Sequence, residues 1–199
     1  MSGERRTFFV FKNCQRTRIR ARLLDVSILF YTGIRIGELV ALKWKDVDFI
    51  NHTINITKTN YNPNTRRKIV WDEDVISILK KHKEIQDQVI KDIGDDYYNK
   101  DFIFAKMERQ HGFPIVVKAI QNRMTRLLKI SGLNPDLTPH SLRQTHTSLL
   151  AEAGVALEQI MDRLGHSDDQ ITKDVYFRLT QEMKKEASQK FAQLMRSLN

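Results

Sequence analysis

Arg143 lies three residues after His140 in the run Thr138-Pro139-His140-Ser141-Leu142-Arg143, and Tyr176 follows a Leu164-Gly165-His166 turn. A helix opened by Pro139 carries His140 and Arg143 on one face, because residues three apart are neighbours on a helix surface and proline suits the first turn. Arginine presents a planar fork of donors that matches two phosphate oxygens, histidine can add a further donor, and a tyrosine hydroxyl is a competent covalent nucleophile. These residue types describe a phosphate-binding site supplied with an attacking group. No Cys, Asp or Glu is arranged near them as a metal cage.

Upstream, Gly33-Ile34-Arg35-Ile36-Gly37-Glu38-Leu39 supplies another arginine, with a carboxylate three positions on that can hold its fork. The order of that stretch, then Ile56-Thr57-Lys58-Thr59, His140-Ser141-Leu142-Arg143, Leu164-Gly165-His166-Ser167 and Val175-Tyr176 resembles the tyrosine recombinases, also called phage integrases. Five short stretches in one order spread the match over most of the chain. The resemblance implies that Arg35, Lys58, His140, Arg143 and His166 form the phosphate site and that Tyr176 is the nucleophile. It implies double-stranded DNA with specific recombination sites as partner. It also implies a homo-tetramer on that DNA, a monomer in isolation, and a C-terminal helix passed between neighbouring copies.

A phosphodiester is anionic, so a weak nucleophile attacks it only when that charge is neutralised and more donors meet the transition state than the ground state. Arg35 and Arg143 are expected to grip the non-bridging oxygens, with Glu38 behind Arg35 to orient it. His140 and His166 can add hydrogen bonds, and either can accept the Tyr176 proton; the sequence does not choose between them. Lys58 is the natural general acid for the departing 5′ oxygen, since a lysine beside other cations gives up its proton more readily. Attack leaves a 3′-phosphotyrosine and a free 5′ hydroxyl. One ester replaces another, so rejoining needs no nucleotide, metal or other cofactor, and no phosphate loop, His-Glu-x-x-His pair or paired Cys motif is present.

Lys and Arg number 33 against 24 acidic residues, a net charge of +9, which is the direction expected for a nucleic-acid partner. Thr59, Asn60, Arg66 and Arg67 are candidates for contact with the DNA backbone, which positions a protein without reading sequence. The 199 residues suit one domain. No segment approaches the ~20 apolar residues of a membrane span, there is no apolar leader, and a single Cys14 forms no internal disulfide, so a cytoplasmic protein with no membrane partner is expected.

The periodicities predict an α+β fold, mainly α-helical, with a small three-stranded antiparallel sheet. Helical spacing runs from about Gln15 to Tyr31 and stops at Gly33, and a short helix holds Glu38 to Leu42, which leaves Arg35 at a turn between helices. Val47–Phe49, Thr53–Thr57 and Lys68–Trp71 read as strands, with Lys58 at a strand end. Further helices are expected from Asp72 or Asp74 to about Lys91, Val116 to Ile130, His140 to Ala153, Leu157 to Leu164, and one leading into Tyr176. Ala187, Phe191, Leu194, Met195 and Leu198 form an apolar stripe on a terminal helix, which can fold back on its own core or dock on another molecule. The expected division is a DNA breaking and rejoining domain at 1–180 and a C-terminal helix at 181–199, without the N-terminal DNA-binding regions usual in the family.

Each residue also has an ordinary structural explanation. Arg143 reads as a surface ion pair, Gly165-His166 as a helix stop, Tyr176 as core and Lys58 as an edge-strand lysine. Two rival functions share the motifs: a type IB topoisomerase, which forms the same linkage but lets the cut strand swivel, and a DNA-binding module that cuts nothing.

Overall fold

The computed structural model describes residues 24–56, 67–71, 73–165 and 170–197. The basic cluster Arg16 to Arg22, and Lys58, Thr59, Asn60, Arg66, His166 and Leu198 among the predicted residues, lie outside the described residues. The chain divides at Arg143/Gln144 into two compact units, Met1–Arg143 and Gln144–Asn199. The division falls inside one helix, so no change of composition announces it.

In the first unit, α1 (Leu24–Thr32) and α2 (Ile36–Ala41) are separated by a tight turn. A short 3-10 segment leads into β1 (Val47–Asp48), β2 (Thr53–Ile56) and β3 (Arg67–Val70), which form the expected antiparallel sheet in the order β1-β2-β3. The register pairs Ile54 with Ile69 and Ile56 with Arg67. Strand alternation then sends Ile54, Ile56 and Ile69 inward, all buried, while Asn55, Lys68 and Val70 face out.

The long α3 (Glu73–Ile93) and α4 (Val117–Ser131) follow. Val75 and Leu79 of α3 and Ile120, Met124, Leu127 and Leu128 of α4 are buried at helical spacing. Both helices pack against α1. Polar links hold this core as well as apolar burial. Arg123 of α4 donates to the buried Asp25 of α1 at 2.6 Å, and Gln86 of α3 accepts from Trp44 Nε1 at 3.0 Å while donating to Tyr97 Oη and the Phe102 carbonyl, each at 2.9 Å. Satisfied in this way, buried polar groups avoid the desolvation cost of an unmade hydrogen bond.

Pro139 opens α5 (Pro139–Glu152), whose C-terminal part belongs to the second unit with α6 (Leu157–Leu164) and α7 (Gln170–Ser197). There Ala151, Ile160, Leu164 and Leu179 form a buried cluster, and Val175 and Tyr176 pack against it. The structure departs from the expected separate terminal helix: α7 carries both Tyr176 and the apolar stripe on one continuous 28-residue helix. No Gly or Pro lies between Gln170 and Ser197 to interrupt it. Residues 181–197 of α7 are all exposed, with Phe191 at 65% and Leu194 at 55%. Among the described residues no helix is long and apolar enough to cross a membrane.

Candidate active site

The turn between α1 and α2 is fixed by its own backbone. Gly33 takes φ 63°, a left-handed conformation that a side chain would oppose, and its N–H returns to the Leu29 carbonyl at 2.9 Å to stop α1. The buried Thr32 hydroxyl donates to the Ile28 carbonyl at 2.6 Å and accepts the Ile34 N–H at 3.4 Å. Arg35 then stands extended at the N-cap of α2, with φ −72° and ψ 144°. Its carbonyl accepts from the N–H groups of Glu38 and Leu39, while Glu38 reaches back to the Arg35 N–H at 2.9 Å. That is the reciprocal half of a capping box.

Glu38 does more than cap. Its Oε1 also accepts from Arg35 Nη1 at 3.3 Å, as the sequence predicts for a carboxylate that orients the arginine. The same carboxylate takes the Arg67 fork, Nη1 to Oε1 at 2.8 Å and Nη2 to Oε2 at 2.5 Å. The Glu38 side chain is wholly buried and that of Arg67 is 5% exposed, whereas the Arg35 side chain is 41% exposed. Burial alone pushes the Glu38 carboxyl up, but the hydrogen bonds and charge of Arg67, helped by those of Arg35, outweigh it and hold the group below its ordinary value. The Arg67 guanidinium, expected at the DNA backbone, is turned inward onto this carboxylate.

At the start of α5, Thr138 caps the helix, its hydroxyl accepting the Ser141 N–H at 3.3 Å while the Ser141 hydroxyl accepts the Thr138 N–H at 3.2 Å. His140 is exposed in this first turn, and Arg143, one turn on, is 4% exposed. The Arg143 Nη1 donates to the Gly33 carbonyl, two residues before Arg35. An arginine of α5 is thus hydrogen-bonded to the turn that presents Arg35.

Tyr176 lies in the second unit, half-buried against the Ala151, Ile160, Leu164 and Leu179 cluster, with its ring edge-on to Phe177 at 6.0 Å between centroids. Gly165 caps α6 in a left-handed conformation, φ 70°, so the helix stop read from Leu164-Gly165 is present. Sequence reasoning passed over the contact in this unit between Arg163 Nε and His146 Nε2 at 3.2 Å, which ties α6 to α5. Among the described residues no three His, Cys, Asp or Glu side chains are grouped to hold a metal ion. A cleft of about 620 Å³ lined by Lys106, Glu108, Arg109, Gln110 and Arg123 includes none of the predicted site residues.

With this geometry in place, the comparisons with known proteins agree on one class. The model of the phage integrase family matches residues 7–183. This chain belongs to the phage integrase family. It is 33% identical over 201 residues to the integrase of Staphylococcus phage L54a, covering 92% of this chain and 56% of that protein. Its fold is similar to that of XerA recombinase, with a TM-score of 0.71 at 24% identity over 89% of this chain and 60% of the other. The fold also resembles a Tn1549 transposon integrase solved with transposon right end DNA, with a TM-score of 0.70 at 23% identity over 92% and 64% of the two chains. The chain spans about half the length of the curated relatives it matches.

Proposed function

We propose that this chain carries the DNA-cleaving and rejoining machinery of a site-specific recombinase. Tyr176 is the nucleophile, and Arg35, Lys58, His140, Arg143 and His166 bind and polarise the phosphodiester. The Tyr176 oxygen bonds to phosphorus, the bond to the 5′ oxygen breaks, Lys58 supplies the proton that oxygen needs, and a histidine takes the phenol proton. A 5′ hydroxyl then attacks the 3′-phosphotyrosine, releases the tyrosine and restores the backbone. Each step exchanges one phosphate ester for another, so the bond energy is kept without a nucleotide or metal.

The observation that carries this reading is the hydrogen bond from Arg143 to the Gly33 carbonyl, which ties an arginine of α5 to the turn that presents Arg35. The family membership and the +9 net charge support DNA as the substrate. Assembly is as a tetramer on paired duplex sites, with the far half of α7 docked on a neighbouring copy. The exposed stripe of Ala187, Phe191, Leu194 and Met195 supports that arrangement. The compartment of action is the cytoplasm.

The test uses a pool of nicked duplexes of randomised sequence, from which the short 5′ strand diffuses away after attack. A detergent-stable protein–DNA adduct that disappears in Tyr176→Phe is expected, and recovered duplexes should share a sequence. Adducts of unrelated sequence together with relaxation of plain supercoiled DNA favour a topoisomerase, and DNA binding with no adduct favours a module that does not cut.

A further inference from the structure

Glu38 could neutralise the arginine it orients. Arg35 and Glu38 alone make a pair of zero net charge, and a buried carboxylate with one cationic partner holds it closely, because the attraction is poorly screened in the interior. An arginine so held offers little to a phosphate. The structure avoids this by bringing a second cation to the same carboxylate from the first residue of β3. Arg67 makes the close two-armed contact at 2.5 and 2.8 Å, and Arg35 Nη1 is left with the longer one at 3.3 Å. The three groups together carry a net charge of +1, and the exposed member is Arg35.

Resting on the transesterification reading above, we infer that Arg67 is a positioning residue: it occupies the Glu38 carboxylate so that Arg35 is aimed without being neutralised. The sheet, which supplies no predicted nucleophile, thereby sets the charge of the phosphate site. Strand geometry makes the placement specific. Arg67 shares the inward face of β3 with the buried Ile69, while Lys68 faces out. A lysine in place of Arg67 keeps the charge but cannot match both carboxylate oxygens with a planar fork.

The test measures single-turnover adduct formation at saturating protein on one duplex recovered from the nicked pool, together with the dissociation constant and its salt dependence, for the whole chain. Arg67→Met is expected to slow adduct formation about tenfold or more while the dissociation constant moves less than about threefold, because Arg67 acts through Arg35 and not on DNA. Adding Glu38→Gln to Arg67→Met should recover at least about threefold in rate, since the carboxylate charge that would neutralise Arg35 is gone. Arg67→Lys should fall between wild type and Arg67→Met. Should Arg67→Met fail to fold, Glu38→Gln is compared with the Glu38→Gln/Arg67→Met double variant, where loss of Arg67 is expected to cost less than about threefold.

A further loss above about tenfold in that comparison, or no recovery in the double variant, makes Arg67 a purely structural residue and overturns the inference. An unchanged saturating rate with a salt slope reduced by about one makes Arg67 a DNA-backbone contact and overturns it equally. A wild-type chain that forms no adduct removes the transesterification reading itself, and this inference with it.

Discussion

Arg143 and Gly33 stand 110 residues apart in the chain, and the guanidinium of the first donates to the carbonyl of the second. The contact is available because Gly33 ends α1 in a left-handed conformation, which turns its carbonyl away from the helical ladder. One bond thus serves both the fold and the expected chemistry. Arg143→Lys retains the charge but loses the fork, and should lower adduct formation by about 100-fold or more, the scale of losing one preorganised donor to a developing oxyanion. The same substitution should cost about 1–3 kcal/mol in urea unfolding if the buried carbonyl is left unpaired. Cleavage at the wild-type rate would remove Arg143 from the site.

Tyr176→Phe separates chemistry from packing. The ring stays against Leu164 and Leu179, so the unfolding free energy should move by no more than about 1 kcal/mol while the covalent adduct is abolished. A residual adduct in the variant would assign the nucleophile elsewhere.

The buried Asp25 and Glu38 and the half-buried His82 each make stability depend on pH. Burial holds the His82 imidazole below 6.5, against the raising effect of its hydrogen bond to the Ile103 carbonyl. The unfolded chain therefore takes up this proton first, and the contribution of neutral His82 is fully present above pH 6.5 and is lost as pH falls toward the lowered folded value. Urea melts between about pH 8 and pH 5 should show that decline, and His82→Gln should flatten it. Glu38 acts in the same sense in a more acidic window, its contribution present above 4.5 and lost below it as the carboxylate is protonated. Asp25 acts oppositely. Burial raises its carboxyl despite Arg123, so its ionisation costs stability that is regained as pH falls through the raised value toward 3.8. Asp25→Asn should remove that gain.

Much of the first unit was legible because periodicity records burial. The α1 stop at Gly33, the turn that holds Arg35, the Glu38 contact and the antiparallel strands all follow from local spacing and turn chemistry. The inward contact of Arg67 was not legible because Arg66, Arg67 and Lys68 look like one solvated patch when only their charge is weighed. The signal was present in the strand period: Arg67 is two residues before the inward Ile69, on the same face. The division into two units was not legible, since it falls within α5 between Arg143 and Gln144 with no linker composition to mark it. The continuity of α7 could have been inferred from the absence of helix breakers.

The far half of α7 gives a prediction about assembly. Phe191→Ser with Leu194→Ser should leave the melting temperature within about 2 °C, because neither side chain is buried in the isolated chain. The same pair should reduce the higher complexes formed on DNA, seen as a shift to smaller species in sedimentation. Undiminished complexes would place the contact between copies on another surface.

Twenty-eight residues at 1.5 Å each make α7 a rod about 42 Å long. Its peptide ladder has no hinge between Tyr176 and Phe191 at which bending could be absorbed. In the proposed assembly, a neighbouring copy that grips the far end would act as a hand on a crank, fixing the angle at which the proposed nucleophile is offered as well as holding the molecule in place.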